Sequence, residues 1–91
     1  MSRKISIPRG CFNTGKIKLS QEILLNARVI AKGRRIRNLQ HLLDKHGGIA
    51  SKWVKKSSAP FEIEGDLYEY HWYKHHGIGR FEIKLKKVKQ L

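Results

Sequence analysis

The amino-acid sequence predicts an α+β domain in which two N-terminal helices pack on a small, mostly antiparallel β-sheet. Three observations lead there. Ile23, Ala27 and Ile30 recur at helical spacing, with Leu24 adjoining, and Gly33 follows where a helix ends. Ile36, Leu39, Leu42 and Leu43 line one face of a second pattern that runs into Gly47-Gly48. Leu67–His75 and Arg80–Val88 instead alternate with period two around His76-Gly77-Ile78-Gly79, the pattern of a β-hairpin.

A chain of 91 residues suits one domain. Residues 1–19 read as an irregular lead-in, because Pro8-Arg9-Gly10 and Asn13-Thr14-Gly15 are turn signals; residues 16–19 suit a short strand or the approach to the first helix. Ser20 stands at an N-cap position, Glu22 faces the positive end of the dipole, and the spacing predicts a helix over 20–32. Lys32–Arg37 is a basic connector, and the second helix covers residues 37–46. Residues 52–88 form the sheet part, broken at Ser57-Ser58-Ala59-Pro60 and turned at Gly65-Asp66.

Pairing His75 with Arg80 sets the register of the hairpin. Trp72 then opposes Ile83, Tyr70 opposes Leu85 and Lys74 opposes Phe81 on one face. Tyr73 opposes Glu82, His71 opposes Lys84 and Glu69 opposes Lys86 on the other. A one-residue slip would mix an apolar face with a charge-complementary one. The helices are expected on the Tyr70/Trp72/Ile83/Leu85 face, leaving His71, Tyr73, Glu82 and Lys84 facing outward.

The formal charge is +13. Residues 1–60 carry 14 Lys and Arg against two acids, a local +12, whereas 61–91 carry six against five. A compact chain this positive repels itself, and an anionic polymer offsets that by releasing its counterions. Helix-turn-helix spacing and zinc-finger ligands are both missing, which favours RNA over DNA. The phosphate grip falls to Lys32, Arg34, Arg35, Arg37, Lys52, Lys55 and Lys56. A solvated basic face, or an acidic protein partner, is the plainer reading of the same charge.

The single cysteine, Cys11, reads as a small apolar filler. No signal peptide or transmembrane run is recognisable, so the chain is expected to act in the cytoplasm, if necessary as a delivered fragment of a larger protein. His71, His75 and His76 have no Cys or further His to complete a metal site, and Gly77-Ile78-Gly79 joins two strands rather than strand to helix, so no metal or cofactor is expected. His41 and His46 read as a helix-surface residue and a dipole partner. Metal-free RNA cleavage needs a base for the 2′-hydroxyl, an acid for the leaving oxygen and cations for the phosphorane. The register gathers His71, Tyr73, Glu82 and Lys84, with His75 and Arg80 beside the turn, within about 5–8 Å of one another. An ordinary solvated sheet face is the alternative.

Gly47-Gly48, Ser51-Lys52-Trp53-Val54-Lys55-Lys56, His71-Trp72-Tyr73 and His75-His76-Gly77-Ile78-Gly79-Arg80 together resemble the C-terminal toxin domains of bacterial contact-dependent-inhibition, filamentous-haemagglutinin-like and Rhs proteins. The similarity covers roughly residues 32–86. It implies a barnase–EndoU–colicin–RelE type fold and a ribonuclease, often acting on tRNA and neutralised by an immunity protein. His71, Tyr73, His75 and Arg80 would then cleave RNA, supported by Lys52, Lys55 and Lys56. In that scheme His71 or Glu82 is the base and His71 or His75 the acid, while Lys84 and Arg80 stabilise the phosphorane and a 2′,3′-cyclic phosphate is left. The alternative is a non-catalytic RNA-binding or ribosome-associated module.

Overall fold

The computed structural model of the protein describes residues 12–13, 16–17 and 19–90. Cys11, the Pro8-Arg9-Gly10 turn and residues 14 and 15 of the next predicted turn lie outside them. Strands β1 (Phe12–Asn13) and β2 (Lys16–Ile17) pair antiparallel in a separate two-stranded sheet. The strand alternative for residues 16–19 therefore applies at Lys16–Ile17.

Helix α1 spans only Gln21–Leu25. Ser20 caps it as expected, its Oγ accepting the Ile23 amide at 3.2 Å. At Asn26 the backbone amide and the side-chain amide both bond back to the Glu22 carbonyl, at 3.3 and 3.0 Å. The chain then enters strand β3, Arg28–Lys32. The predicted helix over 20–32 is thus wrong in its second half. Val29 and Ile30 are β-branched and favour a pleated strand. Strand β4 (Trp53–Ser57) gives them a partner through Arg28↔Ser57, Val29↔Lys56, Ala31↔Lys55 and Lys32↔Val54. Only Ile23 and Ala27 of the apolar series face the core, while Ile30 is exposed.

Helix α2 (Leu39–His46) agrees with the sequence pattern, and Gly47 ends it at φ +79, a conformation that favours glycine. Strands β5 (Phe61–Ile63), β6 (Asp66–His75) and β7 (Gly79–Gln90) follow. The β5–β6 turn is Glu64-Gly65, both at positive φ, with Ile63 paired to Asp66. That two-residue arrangement suits the twist of antiparallel strands, and it places the turn one residue earlier than Gly65-Asp66.

All pairs in the five-stranded sheet are antiparallel. Strand β6 is its centre: β7 runs along one edge, while β4 (from Trp53↔His75 to Ser57↔His71) and β5 (from Phe61↔Tyr68) share the other. Strand β3 lies beyond β4. The predicted architecture of two helices stacked on one sheet face is therefore overturned on two counts: a strand replaces half of the first helix, and the helices lie on opposite faces. Tyr70, Trp72, Ile83 and Leu85 pack with Ile23, Leu24 and Ala27 of the α1 region, whereas Trp53, Tyr73 and Phe81 pack with Ile36, Leu39, Leu42 and Leu43. Trp53, Tyr70 and Trp72 are essentially sealed from solvent. At roughly 150–250 Å² apiece these rings dominate both cores, and burying them is what requires cover on each face.

Candidate functional site

The site depends on an irregularity in the β6–β7 register. Glu69↔Lys86, Tyr70↔Leu85 and His71↔Lys84 pair as the alternation predicts. Between His71 and Tyr73, β7 carries one extra residue, so Tyr73 opposes Phe81, Lys74 opposes Arg80 and His75 opposes Gly79. Glu82 lies in this bulge at φ +55, a left-handed conformation unusual for a side chain longer than Asn. Bulges re-aim side chains, and this one has two effects. Arg80 pairs with Lys74 and leaves the His71/Lys84 face, which removes it from the predicted cluster. Glu82 no longer opposes Tyr73 and turns to α2. There its Oε2 accepts from His41 Nε2 at 3.0 Å and from His46 Nε2 at 3.2 Å.

Because α2 covers Trp53, Tyr73 and Phe81, only part of the predicted open face remains open. That part is a concavity of about 90 Å³ lined by Lys55, His71, Tyr73, Glu82, Lys84 and Lys86. Four of the six predicted chemical residues, Lys84 among them, therefore meet in one cleft, joined by the ammonium groups of Lys55 and Lys86. Lys55 enters from β4, opposite Tyr73, with its Nζ 5.8 Å from the ring centroid. Tyr73 is more enclosed than predicted: it is buried, and its hydroxyl donates to Asn38 Oδ1 at 2.8 Å, tying β6 to the start of α2.

Beneath the cleft lies a second carboxylate. Glu69 Oε1 accepts from Ser57 Oγ at 2.7 Å and from His71 Nε2 at 2.9 Å, with Arg28 3.5 Å from Oε2. Burial pushes the Glu69 carboxyl up, but the bonds from His71 and Ser57 and the Arg28 charge outweigh it and hold its pKa below the ordinary 4.5. Burial acts the same way on Glu82. The bonds from His41 and His46, with the charges of His41 and Lys45, again prevail, and its pKa also lies below 4.5. Each carboxylate is an ionised acceptor, so each histidine presents a protonated Nε2 to it.

His71 therefore has Nε2 committed to Glu69, and its Nδ1 is buried with no hydrogen-bond partner among the described residues. His75 does not join the cleft. It is 4% exposed, its Nε2 lies 3.0 Å from the Ile49 amide and its Nδ1 3.1 Å from the Gly77 amide. A neutral imidazole has one lone pair and accepts one of these amides; a protonated ring would present a donor to both. His75 is thus placed apart from the cleft, where sequence reasoning had set it beside the other chemical residues, and it braces two loops from inside.

The predicted phosphate-gripping residues divide. Lys32, Arg34, Arg35, Arg37 and Lys52 are exposed, and the short 3-10 turns Gly33–Arg35 and Ala50–Lys52 lie against one another at one end of the sheet. Lys55 lines the cleft, whereas Lys56 opposes Trp72 on the other face. Sequence reasoning missed Ser57 and His46, the engagement of His41 and the bracing role of Glu69. Glu69 was legible, since alternation places it beside His71 on one face; His41 and Glu82 are 41 residues apart and meet only through the fold. Among the described residues no group of three or more metal-ligating side chains is arranged to hold an ion. His41 and His46 contact Glu82 directly instead. No helix among those residues is long and apolar enough to cross a membrane. The chain matches no protein-family model, no curated protein and no solved structure.

Proposed function

We propose that this protein is a metal-independent endoribonuclease that holds RNA in the Lys55/Lys84/Lys86 cleft and cleaves it by attack of a ribose 2′-hydroxyl. The observation that carries the reading is the convergence of three ammonium groups with His71, Tyr73 and Glu82 in one concavity of a chain with charge +13. The ammoniums suit the phosphate and the charge that builds on it in the transition state. Exposed Arg34, Arg35, Arg37 and Lys52 extend the positive surface for the flanking backbone. The toxin resemblance adds tRNA as the favoured substrate and an acidic immunity protein as the neutralising partner.

The test is incubation with total bacterial RNA in EDTA. The expected result is discrete cleavage of tRNA leaving cyclic-phosphate ends; intact RNA at high protein dose refutes it. One observation favours a second reading, a non-catalytic RNA-binding or ribosome-associated module: both nitrogens of His71 are closed off, one on Glu69 and one inside the protein. That module predicts salt-sensitive RNA binding without any cleavage.

A further inference from the structure

We propose that His41 is the proton acceptor that activates the ribose 2′-hydroxyl of RNA held in the cleft, with Glu82 and His46 as its positioning residues; this rests on the ribonuclease reading above. Of the three histidines near this face it has the freest ring. His71 and His46 have side chains only 15% exposed, whereas the His41 side chain is 47% exposed. His41 Nε2 donates to Glu82 Oε2 at 3.0 Å, and Glu82 itself lines the cleft. That bond fixes the tautomer, because a carboxylate only accepts. The lone pair of a neutral His41 is then on Nδ1, which bonds to no other described residue.

The surrounding structure holds this arrangement in place. His46 donates to the same Glu82 oxygen at 3.2 Å and stacks on Phe81 with ring centroids 4.0 Å apart. The carboxylate is thus clamped between two imidazoles five residues apart on α2. It reaches them only because Glu82 adopts φ +55 in the bulge. A left-handed glutamate in mid-strand is disfavoured, and such strain concentrates where a side chain must be placed against its backbone preference. An orienting carboxylate and a half-exposed imidazole whose second nitrogen bonds to no described residue form the arrangement of an oriented general base.

The step balances without a metal or redox partner. His41 Nδ1 takes the 2′-hydroxyl proton as that oxygen bonds to phosphorus. The bond from phosphorus to the 5′ oxygen breaks, and an ammonium of the cleft supplies the proton to the leaving oxygen. Water then carries the proton from His41 back to the amine. The products are a 2′,3′-cyclic phosphate and a 5′-hydroxyl.

The test compares the whole protein with its His41→Ala variant on tRNA in EDTA, measuring cleavage rate, RNA affinity and the effect of added imidazole. The expected result is a rate lower by about 100-fold or more, affinity within roughly threefold of the parent, and partial recovery of rate with imidazole. His41 lies on the exposed side of α2, so the variant should fold, and an unchanged circular dichroism melt checks that it does. If the parent cleaves and His41→Ala cleaves within threefold of it, the assignment of His41 is overturned while the ribonuclease reading stands. A rate loss matched by an equal loss of affinity, and unmoved by imidazole, also overturns it in favour of a structural role. A parent that leaves RNA intact removes the ribonuclease reading and this inference together.

Discussion

Replacing Gly48 by Ala tests whether the floor of the loop after α2 is as rigid as its hydrogen bonds imply. Gly48 has φ +87, and a Cβ there would stand 2.5 Å from both Cδ2 and Nε2 of His75 and 2.9 Å from Ile78 Cδ1. His75 cannot easily withdraw: its two nitrogens face the Ile49 and Gly77 amides, and its ring meets Trp53 edge-on at 5.1 Å between centroids. Gly65→Ala is the control, with nearly the same φ of +89 and nothing within 4 Å of the added methyl. The control isolates the left-handed strain, about 1–2 kcal/mol. Gly48→Ala adds the overpacking of a methyl against the enclosed His75 ring, roughly 1–3 kcal/mol. Urea unfolding followed by tryptophan emission reads both, and in thermal melts the gap should be at least about 4 °C for a domain of this length. Equal destabilisation by the two substitutions would refute the reasoning, because it would mean that the His75 ring swings aside freely.

Two further outcomes follow from the site. Glu69 and Glu82 both have folded pKa values below 4.5, so their stabilising contribution is present above the unfolded carboxyl value and is lost as pH falls through the folded one. The stability gap between the parent and Glu69→Gln should therefore shrink between pH 7 and pH 3, and urea midpoints that keep a constant gap would disprove it. Lys84→Ala combined with Lys86→Ala should flatten the plot of log affinity against log salt for single-stranded RNA by about 1.4 in slope, 0.7 for each lost phosphate contact; an unchanged slope removes the cleft from the RNA path.

Much of the hairpin was readable because its information is local. Alternation from Leu67 to His75 and from Lys84 to Lys86 decides which residues share a face, and Glu69↔Lys86, Tyr70↔Leu85 and His71↔Lys84 follow from a short connection. The same alternation cannot reveal an inserted residue, since Glu82 and Ile83 fit the period-two pattern until the chain buckles at Glu82. Everything on the turn side of that point shifted: Arg80 changed face, and Tyr73 met Phe81. The first helix failed for a related reason. Residues 27–32 satisfy a helical spacing, but their state was decided by the free edge of a strand some 25 residues further along, to which β-branched Val29 and Ile30 are suited.

By itself, the sequence determined the charge of +13 and its concentration in residues 1–60, the cap at Ser20, the α2 helix and the apolar face of Tyr70 and Trp72. These depend on composition and on neighbours a few residues apart. The tertiary structure alone decided that the helices cover opposite faces, that His75 is enclosed, and that Glu82 reaches back to His41 and His46. Such contacts join residues distant along the chain, and their outcome turns on a single-residue bulge whose local disadvantage is offset only in the assembled fold.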